Sequence, residues 1–467
     1  MYKNEIEAYV DSHRQEMLDD ICALCRINSE KMPYSAGKPF GEGAFAALNE
    51  ALEMAEKYGF AIRNYDNYVG TIDMNDKEAQ LDILAHLDVV PAGEGWTVTE
   101  PFSPIEKDGK LYGRGTADDK GPAMAALYAM RAVKELGIPL KKNMRLILGT
   151  DEECGSSDIA HYYKTEKEAP MTFSPDGAFP VVNIEKGRLP GHFTANWEAS
   201  EALPRLVRLN AGVKTNVVPG KAFAVIAGLS TEELEKAAKE ITEQTGVTFV
   251  FETVEEGVSV TAVGVGAHAS LPQDGNNALT ALLTYVTALP LAACAQTEML
   301  KNLCELIPHG DTAGAALGIA MSDELSGALT LAFSILNVDE SSLEGQFDTR
   351  APLCATKENC LDVAKAAMQA KGITFLTDHM TPLHHVDENS PFIQTLNKAY
   401  EEYTGLEGGC VALGGGTYVH DLENGVAFGA SFPGTDNRMH GADEFAVIDE
   451  LLASAKIFAQ VIVDLCS

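Results

Sequence analysis

Positive charge is scarce in this sequence. Its 467 residues hold 35 Lys and Arg against 68 Asp and Glu, a formal net charge of −33. Polyanions are recognised by basic patches, so a chain this acidic is expected to have neither nucleic acid nor an anionic membrane as a partner. Cysteine is sparse too. The nine residues are odd in number and too thinly spread to outline a disulfide framework, which points to a reducing compartment. Cys22 and Cys25 have CxxC spacing, but they lie in a helical stretch with no strand before them and no second pair nearby. That context argues against a redox or zinc role. Long apolar runs are missing. The longest, 279–295, contains three Thr and Pro290 and falls short of the roughly 20 residues that span a bilayer. The opening MYKNEIEAYVDSHRQEM carries early acidic residues and no apolar core, unlike a secretory signal. A cytoplasmic protein is the expectation.

What is present is enough for a large core: 46% of the residues are hydrophobic, and this length accommodates two to four domains at roughly 100–200 residues each. Ile6, Val10, Met17, Ile21 and Leu24 recur at near-helical spacing, and 45–58 reads as a second helix. Residues 81–87 and 144–149 are short apolar runs of the kind found in strands buried on both faces. Between them 122–136 reads as a helix, with Pro122 near its first turn and Gly137 past its end. This strand–helix–strand order predicts an α/β architecture, a mixed sheet flanked by helices. From about Gly187 the texture changes to short β-like runs (222–227, 258–265, 329–336) alternating with helices (233–244, 278–288). It changes back near Thr381, where helices 392–403 and 447–465 enclose a strand-like 426–430. The expected division is therefore a first domain part over 1–186, an inserted α+β domain over 187–380, and a second domain part over 381–467.

The chemistry-bearing residues cluster at the ends of the predicted strands. His86 closes the first, where ligands gather in open α/β sheets. Asp88, two residues on, could orient its ring. The loop GRGTADDKGP holds Asp118 and Asp119 at a helix start; it lacks the spacing of a phosphate-binding loop. TDEECGS ends the second strand with Glu152 and Glu153, and SPDG places Asp176 in a turn. One His with several Asp and Glu is a mixed N/O donor set suited to zinc, and also to cobalt or manganese. Two such ions sharing a carboxylate would polarise a carbonyl and activate water. MHGADE offers a second His, His440, although composition alone does not single it out. His384 and His385 lie outside these motifs and read as surface or structural.

Taken in order, HLDVVPAGEGW, GRGTADDKGP, TDEECGS, SPDG, GAHAS and MHGADE resemble the dinuclear-zinc aminopeptidase, carboxypeptidase and aminoacylase family, and within it the carnosinase-like Xaa-His dipeptidases. The resemblance spans almost the whole chain. It implies two Zn2+ per chain (Co2+ or Mn2+ as alternatives). Asp118 would bridge them, with His86 and Asp176 completing one site and Glu153 and His440 the other. A cis peptide would join Asp118 to Asp119. Asp88 would hold His86, and Glu152 would be the general base that takes a proton from the attacking water and returns it to the leaving amine. In the inserted domain, His268 would stabilise the oxyanion, while Asn216 and Arg350 would clamp the substrate, the planar fork of Arg350 suiting a free carboxylate. Gly415 and Gly416 resemble a turn whose backbone closes over the substrate. The length of the insert resembles a duplicated βαβ-type lid, implying a monomer that supplies its own His268.

The implied activity is hydrolysis of small unblocked dipeptides. Within the family, the motifs leave open an N-acyl-amino-acid deacylase of aminoacylase or desuccinylase type. A non-catalytic peptide- or metal-binding protein is a second alternative, which the presence of Glu152 beside every expected ligand disfavours.

Overall fold

The computed structural model describes residues 2–467. Two compact units are distinguished: the chain up to Glu185 together with His384–Ser467, and Lys186–Leu383.

The first unit is built on a nine-stranded mixed sheet. At its centre Ala79–His86 and Asn143–Gly149 run parallel, and Met171–Ser174 pairs parallel on the other side of Ala79–His86. Both faces of these strands are covered, which is why they read as unbroken apolar runs rather than alternations. Leu81, Ile83, Leu146 and Leu148 enter the larger core with the helices Lys120–Glu135 and Ile448–Cys466. Leu84 and Ile147, one residue out of phase, join Val69, Ile159, Tyr162 and Tyr418 on the opposite face. Each such fully buried side chain contributes about 1.5–3 kcal/mol. Asp82 is the polar exception. It is fully buried, and Arg145 donates to both its oxygens at 2.7 Å.

The helix Lys120–Glu135 begins two residues before the apolar pattern does. Buried Lys120 is responsible, since its Nζ donates to the carbonyls of Leu24 (3.1 Å) and Ile27 (2.8 Å) and so docks the new helix against the end of Arg14–Cys25. The N-terminal helical stretch is interrupted at His13, between Lys3–Ser12 and Arg14–Cys25. There the His13 ring Nδ1 sits 2.8 Å from the Tyr9 carbonyl and competes with the backbone for it. Cys25 packs in the core, where burial pushes its thiol up to about 12. The strand-like 426–430 is two strands, Gly425–Ala427 and Ala430–Ser431. Gly429, at φ +82°, turns the chain so that Ala430–Ser431 pairs with Gly177–Ala178 beside Asp176.

The second unit is a nine-stranded sheet whose ladders are all antiparallel. Helices Thr231–Thr245, Ala278–Ala288, Ala295–Leu306 and Asp362–Ala370 contribute to its core. The ten-residue strand Ser342–Ala351 was not legible as one, because Glu344, Gly345, Gln346, Asp348 and Arg350 give it the composition of a loop. It is a strand because Thr330–Val338 and Gly191–Asn196 pair with it on either side. Among the described residues, no helix is long and apolar enough to cross a membrane.

Candidate metal centre

Two clusters of potential ligands share one residue. His86, Asp118 and Asp176 form the first, and Asp118, Glu153 and His440 the second; within each, the ligand atoms lie within 4.8 Å of one another. His86 ends its strand fully buried, with Nε2 3.0 Å from Asp118 Oδ1 and 3.6 Å from Asp176 Oδ2. His440 Nε2 lies 3.0 Å from Asp118 Oδ2 and 3.4 Å from Glu153 Oε1. The two oxygens of Asp118 thus face different histidines. Asp118 is 6% exposed, whereas the His440 side chain is 51% exposed and forms the open side of the centre.

The scaffold explains this convergence. The peptide between Asp118 and Asp119 is cis, and Asp119 turns inward, its Oδ2 accepting the His86 backbone N–H at 3.1 Å. Asp88 does more than face His86. The ring Nδ1 is 3.1 Å from the Asp88 carbonyl and 3.4 Å from its carboxylate. That carboxylate accepts the N–H of Glu152 at one oxygen (3.2 Å) and of Glu153 at the other (3.1 Å). One buried residue therefore orients both the histidine and the Glu152–Glu153 turn. Asp176 sits in the turn after Met171–Ser174, its N–H donating to Ser174 Oγ at 3.3 Å.

The donor chemistry fits divalent metal ions. Each cluster offers one imidazole and two carboxylates, the mixed N/O set that zinc, cobalt or manganese takes. Burial, then the neighbouring Asp118, pushes Asp176 up to about 7 and raises Glu153. The carboxylates in turn raise His440 to about 11. Such a cluster calls for positive charge, which bound divalent cations would supply. Glu152 belongs to neither cluster. Burial, then Asp176, holds its carboxyl well above the usual range.

Sequence reasoning missed the residues that brace the centre. Tyr418 packs edge-on to His86 with ring centroids 6.3 Å apart. Its hydroxyl donates to buried Asp158 at 2.5 Å, which also accepts the N–H of Asp151 at 2.9 Å. Only glycine fits beside this pair at position 149, since a Cβ there would lie 2.0 Å from Tyr418 Oη and 2.6 Å from Asp158 Oδ2. Gly149→Ala is expected to cost about 1–3 kcal/mol or more from overpacking, read as a lower urea midpoint. An unchanged midpoint would show that Tyr418 is free to step aside. Arg114 and Glu444 form a buried ion pair across 330 residues of sequence. Glu444 lies within MHGADE, but no local signal joins it to Arg114.

Gly415 and Gly416 lie in the same unit. A Cβ on Gly416 would be 3.6 Å from Glu185 Oε2 and 3.7 Å from His420 Nδ1. Buried Glu185 accepts the Thr417 hydroxyl at 2.8 Å and anchors this turn. The remaining predicted residues belong to the second unit. His268 pairs with Val217 in a short antiparallel ladder, its Nδ1 is 2.6 Å from Ser270 Oγ, and the next N–H, of Ala269, donates to the Asn216 carbonyl at 2.9 Å. The fold thus brings His268 and Asn216 together. Arg350 is buried on Ser342–Ala351, and Asp348, two residues earlier, accepts from its Nη2 at 2.7 Å and its Nε at 3.2 Å.

Comparison with known proteins agrees with the motif resemblance. YtjP of Bacillus subtilis (strain 168) is 36% identical over 471 residues, covering 98% of this chain and 99% of that protein. The Beta-Ala-Xaa dipeptidase of Lactobacillus delbrueckii subsp. lactis is 34% identical over 459 residues, 97% of each. Human carnosine dipeptidase 1 shares the fold, with a TM-score of 0.61 at 15% identity over 100% of this chain and 99% of that one. Residues 83–464 match a single peptidase family, and that span takes in all the clustered ligands. The chain belongs to the peptidase family M20/M25/M40.

Proposed function

We propose that this chain is a metal-dependent dipeptidase that hydrolyses unblocked dipeptides, Xaa-His and β-Ala-His types included, with two zinc ions per chain. The carrying observation is the split of Asp118, one oxygen toward His86 and the other toward His440, beside a carboxylate, Glu152, that belongs to neither cluster. The Beta-Ala-Xaa dipeptidase, similar over nearly its full length, supports the substrate class.

In this reading His86, Asp118 and Asp176 hold one ion, and Asp118, Glu153 and His440 the other. When bound, the ions supply Lewis acidity toward the scissile carbonyl and lower the pKa of water. Asp88 fixes the His86 ring and the Glu152–Glu153 backbone. Glu152 accepts a proton from the attacking water as the C–O bond forms, then delivers it to the leaving amine as the C–N bond breaks. The unit Lys186–Leu383 acts as the lid. His268 donates to the developing oxyanion, Asn216 and Arg350 clamp the substrate, with Arg350 on its free carboxylate, and the Gly415–Gly416 backbone closes over it. A cytoplasmic monomer is part of the same reading.

A hydrolysis panel tests it. Unblocked dipeptides are expected to be cleaved, and their C-terminal amides, which deny Arg350 an anion, much more slowly. Turnover of N-acetyl or N-succinyl amino acids without turnover of dipeptides would replace the dipeptidase by a deacylase.

A further inference from the structure

We infer that Glu444 and Arg114 are a positioning pair that ties the loop of the bridging carboxylate to the loop of the second histidine, and so sets the metal affinity of the Asp118–Glu153–His440 cluster. The inference rests on the two-metal reading above. Glu444 follows His440 by four residues. Its Oε1 accepts backbone N–H bonds from Gly115 (3.0 Å), Ala117 (3.0 Å) and Asp118 (3.3 Å). Its Oε2 pairs with Arg114 Nη1 at 2.5 Å. Arg114 Nη2 in turn donates to the carbonyl of Gly441, next to His440, at 3.2 Å, and to that of Ala92 at 3.3 Å. One carboxylate grips the segment carrying Asp118, and one guanidinium grips the segment carrying His440.

The burial and the backbone both require such a clamp. The Arg114 and Glu444 side chains are 1% and 0% exposed. A carboxylate removed from water this far is tolerated only with several donors, and here they come from the ligand-bearing loop and its guanidinium. The His440 segment is conformationally costly: Arg438, His440 and Asp443 adopt φ of 55°, 64° and 58°, the left-handed region that non-glycine residues seldom occupy. Surrounding contacts must impose it. Asp443 is secured separately, accepting the N–H groups of Thr97 (2.8 Å) and Val98 (2.9 Å). His86, by contrast, is held by its strand, and Asp176 lies two residues past the end of one. Asp118 is shared by both clusters but His440 serves only the second, so loosening the clamp should weaken that ion more than the other.

Cobalt titration of the metal-free full-length protein, read by visible absorption and by equilibrium dialysis, tests this. Wild type is expected to take up two equivalents. Uptake of only one would overturn the two-metal reading itself and this inference with it. Glu444→Gln is expected to keep the first equivalent and to bind the second roughly 10–100-fold more weakly, the usual effect of losing a residue that orients ligands. Asp82→Asn, which removes an equally buried carboxylate that touches no ligand loop, is expected to lower the urea midpoint while leaving both equivalents at wild-type affinity. Wild-type binding of both ions by Glu444→Gln, or equal weakening of both, would overturn the inference. If Glu444→Gln yields no folded protein, Arg114→Lys decides: it keeps the charge but cannot reach Glu444, Gly441 and Ala92 together. A second equivalent bound as in wild type would then refute the clamp.

Discussion

Glu152→Gln is expected to lower kcat by roughly 10²–10⁴-fold, the usual contribution of a positioned general base, while metal content stays at the wild-type level. The separation follows from geometry. The Glu152 carboxylate lies outside both ligand clusters, so its replacement removes no ligand. Its backbone N–H remains bound to Asp88 Oδ1 at 3.2 Å, so the turn that presents Glu153 keeps its shape. Activity assays alongside metal analysis make the check. Loss of metal in step with activity would make Glu152 a ligand, and full activity with full metal would remove the base from the mechanism.

The second large effect is expected from metal removal. A ligand that binds only the folded state stabilises it by about 4.1 kcal/mol at a free concentration a thousandfold above its Kd, and in a domain of this size each kcal/mol moves Tm by roughly 2–4 °C. Chelation should therefore lower Tm by on the order of 10 °C. It should also expose a pH dependence. Asp176, held at about 7, and Glu153, also raised, are penalised when ionised in the folded state. That penalty is absent below their unfolded pKa values near 4 and grows as pH rises. His440, raised to about 11, stabilises fully below its unfolded pKa near 6.5, and that contribution fades as pH rises toward the folded value. Asp118 is depressed, so its contribution is already complete above about 4. Asp176, Glu153 and His440 act in the same direction between about pH 5 and 8, and Glu152, also raised, adds to the effect. The metal-free protein should thus melt at lower temperature near the upper end of that range than near the lower. Calorimetry with and without chelator would test this; an unchanged Tm on chelation would show that the carboxylates tolerate one another without metal.

Part of the centre leaves a local mark, whereas His440 and the division of the ligands between two clusters were expected only from the resemblance of the motifs taken in order. His86 and Glu153 follow short apolar runs, and a run that ends in a charged residue marks the edge of a buried sheet. The braces leave no such mark. Arg114 reads as one more loop residue, and Glu444 as part of an acidic turn; only their approach across the fold reveals the pair. Tyr418 and Asp158 are equally unmarked, since an aromatic and a carboxylate far apart in sequence become partners only where Gly149 leaves them room. Ser342–Ala351 was missed for a related reason. Strand character there comes from neighbours on both sides rather than from the segment's own apolar content.

The sequence alone determined the α/β class, the donor types of the centre and the surplus of acid over base. These are local or additive properties, readable from spacing and counts. Tertiary structure decided how the acidic residues divide. It turned the two oxygens of Asp118 toward different histidines, committed Asp88 to the His86 ring and the Glu152–Glu153 amides, and buried Glu444 against Arg114. Each outcome depends on where distant segments meet. A carboxylate's role is set by which donors and charges surround it once water is excluded, and no count of carboxylates along a chain contains that information.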